Sequence, residues 1–264
     1  MGCGQELERL EEIMRTLRSE HGCPWDREQS HWTLRPYLLE EAYEVLEAIE
    51  ENSPAHLREE LGDLLLQTVF HAQLAAEAEQ FNLTAVLQEL NAKLIRRHPH
   101  VFAEGEATSA EGVVATWEQI KAKEKGSARS SALSGVPTTL PALMHAEKTQ
   151  AKAARVGFDW PGIEGPLAKV QEEAAELVEA WEAGAQDEEG RRKLEEEYGD
   201  LLFSLVNLAR FLKIRPELAL RRSTEKFTRR FRRLEERVAL EGQELSSLTL
   251  EEMDAIWEEE KKRL

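Results

Sequence analysis

Cysteine occurs only twice in the 264 residues, at Cys3 and Cys23. Two such residues build no disulfide framework, and their spacing is not that of a zinc site. No apolar run is long enough to span a bilayer, and Met1-Gly2-Cys3-Gly4-Gln5-Glu6 has neither a signal-peptide pattern nor the Ser or Thr of a myristoylation motif. A cytoplasmic protein with no membrane partner is expected. Positive charge is also scarce, 34 Lys and Arg against 51 Asp and Glu for a net charge of −17, and such a surface repels a phosphate backbone. Nucleic acid is therefore not an expected partner. Alternating strand patterns are missing too, while windows rich in Ala, Leu, Glu, Lys and Arg repeat with a 3.6-residue period, which predicts an all-α fold.

What the chain has in abundance is acid, arranged twice in one pattern. The first copy reads Glu40-Glu41-x-x-Glu44 and then Glu60-x-x-Asp63; the second reads Glu172-Glu173-x-x-Glu176 and then Glu197-x-x-Asp200. Residues three and four apart share a helix face, so each copy gathers carboxylates on two faces. An acidic helix face is usually just solvated, but here Leu64-Leu65-Leu66 and Val69-Phe70 follow the first ExxD, and Leu201-Leu202-Phe203 and Leu205-Val206 follow the second. A helix apolar around most of its circumference is buried, so the acids in its first turns border a core. Neither ExxD pair has Lys or Arg in the turns that follow it on its own face, and burying unpaired carboxylates is unfavourable by several kcal/mol. The expected partner is a hard divalent cation that prefers oxygen ligands, Mg²⁺ with Mn²⁺ as a substitute.

The repeat also organises the chain. Glu60 to Glu197 and Asp63 to Asp200 are both 137 residues apart, and Glu41 to Glu173 is 132. The difference falls in the loop stretches Asn52-Ser53-Pro54 and Ala183-Gly184-Ala185-Gln186-Asp187. Residues 126–137 are small and polar with no sustained period and read as a linker between domains 1–125 and 138–264.

Basic residues repeat along with the acids. Lys93 to Lys226 and Arg97 to Arg230 are both 133 apart, and each copy then reaches a Trp with Lys one turn on, Trp117 with Lys121 and Trp257 with Lys261. A basic helix is commonly a solvated face; beside carboxylates that hold a cation, it suits a compact polyphosphate, whose oxygens the cation and the bases share.

These residues, together with Cys23-Pro24-Trp25-Asp26, Arg96-Arg97-His98-Pro99-His100-Val101-Phe102 and Val156-Gly157-Phe158-Asp159-Trp160, closely resemble the MazG nucleoside triphosphate pyrophosphohydrolases. The resemblance covers nearly the whole chain, tandem layout included. It implies two all-α MazG-like domains whose helix bundles are completed in a homodimer, and Mg²⁺-dependent cleavage of NTPs or dNTPs to the monophosphate and pyrophosphate, a nucleotide-pool house-cleaning activity. Carried onto this sequence, it makes Glu173, Glu176, Glu197 and Asp200 the metal ligands of the second half, and Lys226, Arg230, Trp257, Lys261 and Asn207 its substrate-contacting positions. In the first half the matching acids are Glu41, Glu44, Glu60 and Asp63, and the matching bases Lys93 and Arg97. Glu172, next to Glu173, is the candidate general base for attack of water on the α-phosphorus. The halves differ where Asn207, seven residues past Asp200, aligns with Phe70. The first site is thereby expected to be drier, in keeping with a family in which the C-terminal half is usually taken as catalytic and the N-terminal half as structural.

Rival readings have less to stand on. A di-iron carboxylate bundle needs Glu-x-x-His on two helices, and the chain offers only Glu28-x-x-His31. His71 and His145 read as packing or surface residues. A helical nucleotide-binding scaffold without turnover keeps the same fold and remains the alternative.

Overall fold

The computed structural model describes residues 2–103, 109, 112–113, 116–117, 120, 124, 131–184 and 187–262. Among them there is no strand, as the periodicity predicts. The chain divides into two compact units, Met1–Gly126 and Ser127–Leu264. Of the linker expected at 126–137, residues 126–130 lie outside the described residues, and 131–137 form turns and irregular backbone.

In the first unit, α1 (Cys3–Leu17), α2 (Pro24–Glu28), α3 (Arg35–Glu50), α4 (Pro54–Glu77), α5 (Leu83–Arg97) and α6 (Pro99–Phe102) follow one another. Helix α4 begins where Pro54 fixes its first turn and the Ser53 hydroxyl accepts from the His56 amide. It packs against α1, α3 and α5. Met14, Leu34, Val69, Phe70, Ala72 and Leu83 form the buried core there.

The second unit contains α7 (Ala142–Arg155), α8 (Glu164–Ala183), α9 (Glu188–Phe211), α10 (Pro216–Leu240) and α11 (Leu250–Lys262). Asp187 caps α9 by accepting from the Gly190 amide at 2.8 Å. Thr249 and Glu252 cap each other's backbone at the start of α11. Helix α9 packs along α8 and against α7, while α10 packs against α7 and α11. The 24-residue helices α4 and α9 are the repeated acid-bearing elements, each laid against the helix before it.

The near-complete burial expected for α4 and α9 is not seen in the single chain. Leu61 and Leu65 are 50% and 44% exposed, and Leu202 and Leu205 are 38% and 43% exposed. Each helix turns one apolar side to its unit's core and leaves another uncovered.

Candidate active site

Pairing of α3 with α4 brings Glu41, Glu44 and Glu60 together, and pairing of α8 with α9 does the same for Glu173, Glu176 and Glu197. In each trio one carboxylate oxygen per residue lies within 4.8 Å of the others. Glu60 and Glu173, the innermost members, are 9% and 5% exposed. Asp63 and Asp200 stand outside these trios. Asp63 is near enough for its charge to act on Glu41, whereas Asp200 is exposed in the described structure.

The electrostatics are those of like charges crowded at a core boundary. Burial, then the charges of Asp63 and Glu44, pushes the Glu41 carboxyl above its ordinary range. Burial, then Glu173, does the same to Glu176. The second carboxylate oxygen of Glu173 is buried and has no hydrogen-bond partner. Such an oxygen normally finds a donor or a cation.

The expectation that no local base offsets these acids needs correcting, because compensation comes from the turn before each motif rather than the turns after it. On α8, Lys169 Nζ reaches Glu173 at 2.6 Å and Glu172 at 2.9 Å. On α4, His56 bridges Glu51 at 2.8 Å and Glu60 at 3.1 Å. Both bases sit four residues ahead of a motif acid, a helical spacing legible in the sequence. Hydrogen bonding to Glu51 raises the His56 pKa above its ordinary value.

The candidate bases are placed as follows. Lys226 and Arg230 lie on α10. The Arg230 Nε is buried without a partner. Trp257 packs on Phe227, ring centroids 5.2 Å apart, and joins α11 to α10; Lys261 is held 2.6 Å from Glu258. No hydrogen bond or ion pair among the described residues joins Lys226 or Arg230 to the acidic trio. In the first unit Arg97 pairs with Glu124 and lies over the Trp117 ring at 4.9 Å, while Lys93 is half-buried on α5. Hydrogen bonds from Arg97 and then Arg96 hold the Glu124 carboxyl down at about 2. Lys121 lies outside the described residues.

Asn207 and its counterpart Phe70 have opposite surroundings. Phe70 is 3% exposed within the core of the first unit, and the Arg18 guanidinium lies over its ring at 5.4 Å. Asn207 instead lines a cleft of about 510 Å³ between α7 and α9. Arg210 donates to its Oδ1 at 2.8 Å and is itself held by Asp159 at 2.8 Å. That network, and the Gln150 and Thr149 side chains on the far wall, escaped sequence reasoning. The signal available was Asp159 in the Gly157-Phe158-Asp159-Trp160 run and an Arg one turn past Asn207. Glu28-x-x-His31 builds no carboxylate-histidine site: His31 Nδ1 lies 2.8 Å from His71 Nδ1.

Two all-helical units in tandem, each with three carboxylates converging from a helix hairpin, define a duplicated protein with an oxygen-donor centre in each half. A profile of the family described as the MazG nucleotide pyrophosphohydrolase domain matches residues 29–102 and again 163–234, so each match spans one acidic centre. The chain belongs to that family. It is 48% identical over 255 residues to "Nucleoside triphosphate pyrophosphohydrolase/pyrophosphatase MazG" of Thermotoga maritima, covering 97% of this chain and 95% of that one. It is 47% identical over 260 residues to "Nucleoside triphosphate pyrophosphohydrolase" of Escherichia coli K12, covering 98% of each. A solved structure titled "Crystal structure of mazG-related protein from Thermotoga maritima" matches with a TM-score of 0.38 at 36% identity, over 44% of this chain and 98% of that one.

Proposed function

We propose that the chain hydrolyses ribo- and deoxyribonucleoside triphosphates to the monophosphate and pyrophosphate, and that its second unit carries the reaction. The observation that bears most weight is the Glu173–Glu176–Glu197 trio, with one buried Glu173 oxygen lacking any partner. Its donors are all carboxylate oxygens, which suits Mg²⁺, with Mn²⁺ as a substitute. Glu173, Glu176, Glu197 and Asp200 would hold the ion, which when bound neutralises phosphate oxygen charge.

The chain's own groups account for the rest. Lys226, Arg230 and Lys261 take the anionic tail, and the unpartnered Arg230 Nε is a donor ready for it. Trp257 closes the α10–α11 side of that tail. A water oxygen bonds to the α-phosphorus, the bridging bond to the β-phosphate breaks, and Glu172 accepts the proton. Developing charge on the departing pyrophosphate is met by the lysine and arginine side chains. The matching names of relatives at 48% and 47% identity over nearly their whole lengths support this chemistry.

The first unit has the same donor types in Glu41, Glu44, Glu60 and Asp63, with Lys93 and Arg97 as its bases, yet Phe70 fills the place of Asn207. We read it as structural. The open apolar sides of α4 and α9 support a homodimer that covers them. Among the described residues no helix is long and apolar enough to cross a membrane, and we assign the protein to the cytoplasm and to nucleotide-pool house-cleaning.

Incubation with each NTP and dNTP plus Mg²⁺, with products resolved, tests this. Monophosphate and pyrophosphate are expected. Orthophosphate would move the attack to the γ-phosphorus, and tight binding with no products would favour the scaffold reading.

A further inference from the structure

In the first unit, the arginine that matches Arg230 already holds an anion from its own chain. Arg97 donates to Glu124 Oε2 from Nη2 and, at 3.0 Å, from Nε, and Arg96 donates from Nε to Glu124 Oε1 at 2.6 Å. The Arg97 and Glu124 side chains are only 12% and 18% exposed, so the contact is largely withdrawn from water. The Trp117 ring lies against the guanidinium at 4.9 Å and fixes its plane.

The repeat gives this contact its meaning. Arg97 and Arg230 are 133 residues apart, and Trp117 and Trp257 are 140 apart, as are Lys121 and Lys261. The residue 140 beyond Glu124 is Leu264, which has no charge. In the second unit the Arg230 Nε is buried without a partner, whereas in the first the matching guanidinium is engaged by a carboxylate. Guanidinium presents one fork of N–H donors to carboxylate and phosphate alike, so a carboxylate seated on it takes the place of a phosphate group. The match is incomplete in charge. Arg96, Arg97 and, one turn back on α5, Lys93 together exceed the single charge of Glu124, in a chain whose net charge is −17. An anion with several charges complements them better.

We propose that Lys93, Arg96 and Arg97 form a site for an anionic phosphate chain in the first unit, and that Glu124 closes it by standing in for a phosphate. The inference rests on the reading of Arg230 as a phosphate contact in the second unit. A ligand must displace Glu124, so its apparent affinity falls with the small fraction of chains in which the arginines are open. The Glu124 carboxyl, held at about 2, stays ionised over any working pH range, so the site opens to a competing anion and not to protons.

Calorimetric titration of the full chain with Mg²⁺ and α,β-methylene ATP, in which the bond between the first two phosphorus atoms cannot be hydrolysed, tests this. The parent is expected to bind one molecule per chain, at the second unit. Glu124→Gln is expected to bind two, the first-unit site gaining about tenfold or more in affinity over the closed parent. Adding Arg97→Met to Glu124→Gln is expected to return the count to one. Inorganic pyrophosphate is expected to fill the new site as well; a site that takes the nucleotide and refuses pyrophosphate overturns the phosphate-chain assignment. Glu124→Ala is measured beside Glu124→Gln. If both variants keep the parent's circular dichroism and still bind one molecule, or if the parent already binds two, the proposal is overturned. Loss of the folded first unit in both variants makes Glu124 a structural brace and overturns it too. A parent that binds none overturns the reading of the second unit instead, and the presence or absence of an Arg97-dependent site in Glu124→Gln still decides the proposal.

Discussion

Lys169 Nζ lies 2.6 Å from Glu173, one turn along the same helix, so the most buried acid of the second trio is already neutralised from within α8. Glu173 and then Glu172 hold the lysine well above its ordinary pKa, and it stays charged throughout any working pH range. The ammonium satisfies one oxygen of Glu173 and leaves the other stranded. A divalent cation entering the trio competes with Lys169 for the same carboxylate.

That competition predicts a paired effect of Lys169→Met. Without metal, the variant is expected to melt below the parent protein, since a carboxylate that is 5% exposed loses its counter-ion. With Mg²⁺ added, its Tm is expected to rise by more than the parent's. Thermal melts across an Mg²⁺ series decide this: identical Mg²⁺-induced shifts would show that lysine and cation do not share Glu173.

The two acidic trios are built alike but are expected to differ in consequence. Glu176→Gln should lower kcat for triphosphate cleavage by on the order of 100-fold or more, with a circular dichroism spectrum unchanged. Glu44→Gln, its first-unit counterpart, should leave kcat within about twofold because Phe70 fills that unit's equivalent of the Asn207 position. Equal loss in both variants would assign turnover to both halves.

Much of this site could be read along the chain because it is local. Helical periodicity predicted the all-α fold, and the spacing of Glu41 with Glu44 and of Glu173 with Glu176 placed each pair on one face. Their convergence with Glu60 and Glu197 needed only antiparallel packing of adjacent helices. Lys169 is equally local, four residues before Glu173, but it stands ahead of the acidic motif rather than in the turns after the ExxD pair. The cleft was not legible: Gln150 and the Phe203 carbonyl are 53 residues apart, and nothing in either local pattern announces their meeting. Periodicity likewise marks Leu202 and Leu205 as apolar without saying what covers them, so the burial it implied is only half met in one chain.

Phe70 predicts a stability effect rather than a catalytic one. It is 3% exposed, packed in the cluster with Met14, Leu34 and Leu83, and capped by the Arg18 guanidinium. Phe70→Ala removes the ring and leaves a cavity, a change that typically destabilises by about 3–5 kcal/mol. Denaturant unfolding followed by a first-unit probe should show this loss. A destabilisation under about 1 kcal/mol would mean that the surrounding helices collapse into the space and that the ring does not organise the core.

The same arginine supplies a pH-dependent contribution with a definite sign. Arg18 donates to both oxygens of Glu77 at 2.8 and 2.7 Å, and this hydrogen bonding, more than the opposing burial, lowers the Glu77 pKa from its ordinary 4.5. A carboxyl whose pKa is lower in the folded state binds fewer protons there than when unfolded. The stability it contributes is therefore complete above about pH 4.5 and is lost as pH falls through the lower folded value. The Glu77 side chain is 38% exposed, so solvent screening limits the contribution to about 1 kcal/mol. Glu41 and Glu176 act in the opposite direction, since their raised values make the folded state hold protons more tightly and lose stability as pH rises through them. The total stability profile mixes both, but the difference between the parent and Glu77→Gln isolates the Arg18 pair. That difference is expected to be about 1 kcal/mol at pH 7 and to shrink as the pH falls below 4.5 through the lowered folded value. A difference that stays constant over this range would mean that Arg18 binds the neutral side chain as well as the carboxylate, and that the bridge to Glu77 acts through packing alone.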